Sequence, residues 1–277
     1  MEIALCNEVL RAFPLKQQCE IAARLGYDSL ELAPFTLGAE PHRLGSAERR
    51  SLRQLITDAG LGVVGLHWLL VSPPGLSITS ADPDIRATTL EVLRGMVLLC
   101  AELGGGVLIH GSPEQRRTLP GDDPSEARKR AVEAIVLAAE HAAEAGLVYC
   151  LEALPPASTN FVNTIHEAVE IVNAVGSPAL RTMIDTCAAA AAETESIPGL
   201  IERWVPTGLI GHVQLNDSTG RGPGQGNDDF VPVLRALMRT GYAHSVSIEP
   251  FIYEPDGPTC AARAIGYVRG ILESLRG

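Results

Sequence analysis

Three carboxylates and one carboxamide stand at or near the ends of short apolar runs. Glu152 closes LVYCLE, Asp185 closes TMID, Gln214 lies in GHVQL and Glu249 closes SVSIE. A carboxylate in such a place is costly to bury unless a cation or a hydrogen-bond donor compensates it. Taken singly, each acid could cap the following helix or pair with an arginine. Converging on one mouth, the set calls for a positive charge, and an all-oxygen set suits Mn²⁺ or Mg²⁺ better than a zinc site rich in thiolate or imidazole. A divalent ion held this way could act as a Lewis acid on a bound oxygen.

Such convergence requires elements that end at a common place. Eight short apolar or β-branched runs alternate with longer stretches of helical period, at residues 3–6, 29–32, 62–67, 106–110, 147–152, 181–185, 210–215 and 245–249. That alternation marks βα units around a parallel sheet. Most runs follow a glycine able to close the foregoing helix in a left-handed turn: Gly26, Gly60, Gly104, Gly146, Gly208 and Gly241. The stretches 124–145 and 165–175 carry apolar residues at spacings of three and four, as outer helices do. Polar residues gather at the C-terminal ends of the runs, where a (β/α)₈ (TIM) barrel builds its active site. Besides the four donors they are Asn7, Glu8, Glu31, His67, His110, Asn216 and Asp217. The expected fold is therefore a single-domain α/β barrel over residues 1–277, with a doubly wound open sheet as its rival. The glycine-dense stretch 216–230 reads as a functional loop after the seventh strand.

Composition narrows the function classes. A net charge of −11 repels phosphate backbones, which disfavours nucleic acid as a partner. No apolar run is long enough to span a bilayer, and MEIALCNEVL has no basic flank before an apolar stretch, so no membrane role and a cytoplasmic location are expected. The six scattered cysteines form no CxxC pair and read as buried free thiols.

His67 and His110 end apolar strands and are candidate substrate contacts, against the plain reading of hydrogen-bonded core histidines. His212 shares a strand face with Gln214 and is a candidate for orienting a ligand carboxylate. Trp68 could stack on a sugar face or close the barrel top. Glu8, at the end of the first strand, is a further substrate-binding candidate. His42, His141, His166 and His244 fall on helices or turns, where exposure is the default.

The segments GYDSLEL around Glu31, GLHWLL around His67, CLEALPP around Glu152, MIDT around Asp185, GHVQLNDSTGRGPGQG around Gln214 and SIEPF around Glu249 give the chain a wider likeness. It resembles, over nearly its whole length, the xylose-isomerase-like barrels that include D-tagatose and D-psicose 3-epimerases, hydroxypyruvate isomerase and inosose isomerases and dehydratases. The resemblance implies a metal-dependent sugar isomerase or epimerase with one divalent ion on Glu152, Asp185, Gln214 and Glu249. Mn²⁺ comes first, with Mg²⁺ or Co²⁺ as alternatives, and the two glutamates do the acid–base work. It also implies a substrate-polarising role for Arg221 and a homo-oligomer, dimer or tetramer, acting on a small-molecule sugar. Glutamine at the third position matches hydroxypyruvate isomerase, where the epimerases commonly carry histidine. One departure stands out: the epimerases usually place a histidine three residues after the metal-binding aspartate, and this chain has Ala188 there. Dehydratases, C-glycoside-cleaving subunits and a sugar-binding barrel without turnover share the scaffold and remain alternatives at this level.

Overall fold

The computed structural model describes residues 1–276. Eight parallel strands close into a barrel in sequence order: β1 (Ile3–Cys6), β2 (Ser29–Leu32), β3 (Gly62–Leu66), β4 (Val107–His110), β5 (Val148–Leu151), β6 (Leu180–Asp185), β7 (Ile210–Leu215) and β8 (Val246–Ile248). Closure is set by β1 pairing with β8, Ile3 against Val246 and Leu5 against Ile248, which rules out the open doubly wound sheet. The strands match the runs seen in the sequence to within one residue at each end; β4, β5 and β8 start one residue later and β6 one earlier, and His67, Glu152 and Glu249 each lie one residue past the last paired position.

The helices α1 (Leu15–Leu25), α2 (Ser46–Asp58), α3 (Pro83–Leu103), α4 (Pro124–Glu144), α5 (Ile165–Val175), α6 (Thr186–Ala192), α7 (Ile197–Trp204), α8 (Phe230–Arg239) and α9 (Gly257–Arg276) fill the connections. Asp82, Asp123, Thr164, Asp185, Ser196 and Asp229 accept a hydrogen bond from a first-turn amide of the helix each one opens. These bonds satisfy donors that the helix itself leaves free. All six glycines that punctuate the strand starts have positive φ, a conformation that glycine adopts without a Cβ penalty.

Side chains alternate across a strand, so one set faces the lumen and the other faces the helices. Val107 and Ile109 of β4, Cys150 of β5 and Met183 of β6 form a small buried cluster, backed by Val64 and Val148. The larger core lies between barrel and helices. Continuing the lumen parity upward from Ile109, Cys150 and Met183 arrives at Gly111, Glu152 and Asp185. The same alternation carries His212 to Gln214 and Ser247 to Glu249, and it puts His110 on the opposite face from Ile109.

His42 departs from the expectation of exposure. It is buried, because Gly95 on α3 lets the short helical turn Pro41–Arg43 approach so closely that a Cβ at Gly95 would lie 2.7 Å from the His42 Cβ. No described helix is long and apolar enough to cross a membrane. All six cysteines are free thiols, and five of them are buried.

Candidate metal and active site

Glu152, Asp185, Gln214 and Glu249 line one cavity of about 300 Å³ at the C-terminal mouth of the barrel, joined there by His67, Trp68 and Gly111. The four donors come from the ends of β5, β6, β7 and β8, and each is at most 7% exposed. Burial, with the Asp185 carboxylate beside it, pushes Glu152 up to about 8. Asp185 rises to about 6 through burial, opposed by the Ala188 amide and the Asn216 side chain that bond it. Glu249 is held well above the carboxylate range by burial and by the charges of Glu8, Asp185 and Glu152. Without a cation, then, these acids resist ionisation together.

The orientation of Gln214 follows from Glu31, which is fully buried at the end of β2. Its Oε1 accepts from Gln214 Nε2 at 2.7 Å and from the Cys6 thiol at 3.6 Å, and its Oε2 accepts from the Ser247 hydroxyl and lies 2.7 Å from His212 Nε2. Burial alone would raise Glu31, but the adjoining His212 and His67 bring it down to about 2. An ionised carboxylate only accepts, so the Gln214 amide must turn its N–H₂ toward Glu31 and its oxygen away. That Oε1 is buried and has no hydrogen-bond partner. An orphaned amide oxygen beside three buried acids is a hard-oxygen donor set, and it fits a divalent cation.

Supporting contacts hold the donors in place. Trp68 donates from Nε1 to Glu249 Oε1 at 3.1 Å, and its backbone sits at φ 54°, a strained region for a bulky residue. Asn216 donates to Asp185 Oδ2 at 3.0 Å and to the Glu249 carbonyl at 2.9 Å, tying together the ends of β6, β7 and β8. Arg116 is fully buried and donates to the Glu152 carbonyl at 2.6 Å and the His110 carbonyl at 3.3 Å. Burial lowers its guanidinium to about 10, so it stays a cation beside Glu152 at neutral pH. At Gly111 any Cβ would stand 1.9 Å from Glu152 Oε2, and the glycine gives that carboxylate its seat.

A second convergence overlaps this one. Cys6, Glu8, His67 and Glu249 offer ligand atoms within 4.8 Å of one another. His67 Nε2 bonds Glu8 Oε2 at 2.9 Å, and its Nδ1 lies 3.2 Å from Glu31 Oε1. Burial would lower His67, yet Glu8 and Glu31 raise it, which favours an imidazolium between two carboxylates. Burial and Glu31 keep the Cys6 thiol protonated. Of these four, Glu249 alone stays open to the cavity with a carboxylate to give.

Of the substrate-contact candidates, His67 and Trp68 reach the cavity wall, whereas Glu8, His110, His212 and Arg221 do not. Glu8 is buried and bonds His67 Nε2. His110, on the helix-facing side of β4, bonds the Tyr149 hydroxyl through Nδ1 at 2.6 Å, and burial with nearby Arg116 lowers it to about 3, leaving a neutral ring. His212 sits below the donors and reaches Glu31, not a cavity carboxylate. Arg221 turns outward to pair with Glu254, while its carbonyl accepts from the Asp217 amide and shapes the glycine-rich loop. Sequence reasoning did not single out Gly111, Arg116 or the hub role of Glu31. Gly111 shares the strand parity of Ile109, a signal that could have found it, but nothing in GSPEQRR separates Arg116 from Arg117.

Comparison with known proteins agrees with this architecture. The family model described as xylose isomerase-like TIM barrel matches residues 19–271. D-psicose 3-epimerase of Ruminiclostridium cellulolyticum is 28% identical over 242 residues, covering 86% of this chain and 78% of that protein. L-ribulose 3-epimerase of Mesorhizobium japonicum is 32% identical over 208 residues, covering 73% of this chain and 66% of that one. A solved structure of L-ribulose 3-epimerase superimposes with a TM-score of 0.83 at 24% identity, covering 100% of this chain and 96% of the other, a likeness of fold. The chain belongs to the xylose isomerase-like TIM barrel family.

Proposed function

We propose that this protein is a divalent-metal-dependent sugar isomerase or epimerase that moves a proton next to the carbonyl of a keto-sugar or related α-hydroxy carbonyl compound. The observation that carries the reading is the buried, unpartnered Gln214 Oε1 among three acids whose ionisation burial and mutual repulsion oppose. Relatives named as sugar 3-epimerases support the reaction class.

Glu152, Asp185, Gln214 and Glu249 would hold the ion, with Mn²⁺ the first choice and Mg²⁺ or Co²⁺ as alternatives. Bound there, a divalent cation supplies Lewis-acid charge to the oxygens of an α-hydroxy carbonyl. Glu152 and Glu249 stand just past the ends of strands β5 and β8 and open onto the same cavity. One removes the proton from carbon, giving an enediolate, and the other returns it for an epimerisation; a 1,2-shift needs only one of them. The Trp68 indole holds Oε1 of Glu249. That bond orients the carboxylate and leaves Oε2 for proton transfer.

The test is solvent-deuterium incorporation at carbon into ketoses and hydroxypyruvate under saturating Mn²⁺, followed by NMR. Glu152→Gln and Glu249→Gln should each lower exchange by roughly three orders of magnitude or more, the upper part of what a positioned acid or base contributes. Full exchange in either variant defeats the assignment.

A further inference from the structure

The N-terminal end of the barrel holds a second cavity, of about 850 Å³, which shares no residue with the cavity at the metal-binding candidates. The buried lumen residues Ile109, Cys150 and Met183, with the Glu31–His212 pair, separate the two. A barrel of this kind ordinarily fills its lumen with bulky branched side chains. Here strand parity carries two polar residues into the floor: Ser29 lies two residues before Glu31 on β2, and Arg181 two before Met183 on β6. Both line the cavity, and β2 and β6 stand on opposite sides of the eight-stranded ring.

Neither residue has a side-chain partner. Ser29 is 4% exposed, and its Oγ is buried without a hydrogen bond. Gly62, at the start of the neighbouring β3, has no side chain to cover it; a Cβ there would lie 3.4 Å from the Ser29 Cβ. Arg181 is half-buried and, among the described residues, its guanidinium bonds only the backbone carbonyls of Ser177 at 3.4 Å and Leu180 at 2.7 Å. Its remaining N–H donors face no carboxylate of the chain.

A guanidinium fork free of an acid partner matches a carboxylate, which it can hold through two charge-assisted bonds. The Ser29 side limits the ligand's charge. Asp28, paired with Arg269 at 3.3 Å, and Glu2, which accepts from the Ser245 hydroxyl at 3.3 Å, line that side and repel a second negative group. A neutral hydroxyl placed there gives the Ser29 Oγ the partner it lacks.

We propose that the N-terminal end of the barrel is a second binding site, which takes a small monoanionic hydroxy acid with its carboxylate on Arg181 and a hydroxyl on Ser29. The site is independent of the proton transfer at the other end of the barrel, so its test stands whether or not the isomerase or epimerase reading does.

The experiment titrates the full chain loaded with Mn²⁺ by calorimetry with D-gluconate, with its uncharged counterpart D-glucitol and with acetate, which keeps the carboxylate and lacks the hydroxyls. D-Gluconate should bind more tightly than about 10 mM. The other two should bind at least about ten-fold more weakly. Arg181→Met should weaken D-gluconate about ten-fold or more, and Ser29→Ala about three-fold. Gly62→Val fills the floor beside Ser29 without touching Arg181 and should abolish binding; Gly62 is not among the residues with positive φ, and melting temperature checks the fold of each variant. Arg181→Met should leave deuterium exchange unchanged, and Glu152→Gln should leave D-gluconate binding in place. The proposal is overturned by the absence of D-gluconate binding, by D-glucitol binding as tightly, or by unchanged affinity in folded Arg181→Met or Gly62→Val. Loss of binding in Glu152→Gln also overturns it, since that outcome marks chelation at the metal-site cavity.

Discussion

Replacing Gly111 by alanine tests the site through a residue that carries no chemistry of its own. A Cβ there would stand 1.9 Å from Glu152 Oε2 and 3.1 Å from its Cδ. Non-bonded atoms rest at roughly 3.5 Å, so the carboxylate oxygen must retreat by about 1.5 Å. A misplacement of about 1 Å in a reacting group costs on the order of 10² in rate. The expected fall in kcat/KM is therefore about 100-fold, equivalent to about 2.7 kcal/mol of transition-state stabilisation. Mn²⁺ affinity should fall as well, by about 10-fold, because the same carboxylate belongs to the proposed ligand set. Gly111 is not among the residues with positive φ, so alanine takes up its backbone without strain and the barrel should stay folded. The assays are calorimetric titration with Mn²⁺ and deuterium exchange, with thermal melting as the control. Adding Glu152→Asp shortens the side chain by one methylene and should restore part of the metal affinity. Mn²⁺ affinity and exchange both within about three-fold of the parent, in a folded Gly111→Ala protein, would refute the placement of Glu152.

Three more expectations follow from the same geometry. Glu31→Gln removes the acceptor-only partner that turns the Gln214 oxygen toward the cavity, so Mn²⁺ affinity should fall about 10- to 100-fold; in a Gln214→Leu background it should cost nothing further, and an unchanged affinity in the single variant contradicts the hub role. Glu152 and Asp185 titrate higher in the folded protein than carboxyls ordinarily do, at about 8 and about 6, so their ionised forms oppose folding. Metal-free stability should thus be greatest at acid pH and decline as pH rises through those values; Mn²⁺ binding should release protons between about pH 6 and 8, as read by calorimetry in buffers of different ionisation enthalpy, and pH-independent binding would count against the site. Tyr149→Phe leaves the buried His110 Nδ1 without its partner, which should cost about 1–3 kcal/mol of stability in a melting experiment. Because that pair faces the helices, Mn²⁺ affinity should not change.

Much of this protein was legible in the order of its residues. Eight apolar runs separated by helical stretches and glycine stops imply a βα barrel, because strands buried on both faces are apolar throughout and each needs a crossover helix. The two-residue period of a strand puts Cys150 on the face of Glu152, Met183 on that of Asp185 and His212 on that of Gln214, each within its own strand; that these faces form one lumen is decided by barrel closure. The same parity places His110 away from Ile109 and Gly111 with it. Folding decided what depends on distance across the barrel. Glu31 and Gln214 are separated by 183 residues and meet only because β1 and β8 close the sheet between them. Arg116 and Arg117 are neighbours of the same type, yet one is sealed beneath Glu152 and the other bonds the Ser158 carbonyl nearer the surface. Arg221 lies in a loop whose backbone bonds to Asp217 aim it outward. Local sequence sets the period and the parity of a strand; which buried charge meets which partner depends on barrel closure and loop packing, and these are properties of the whole chain.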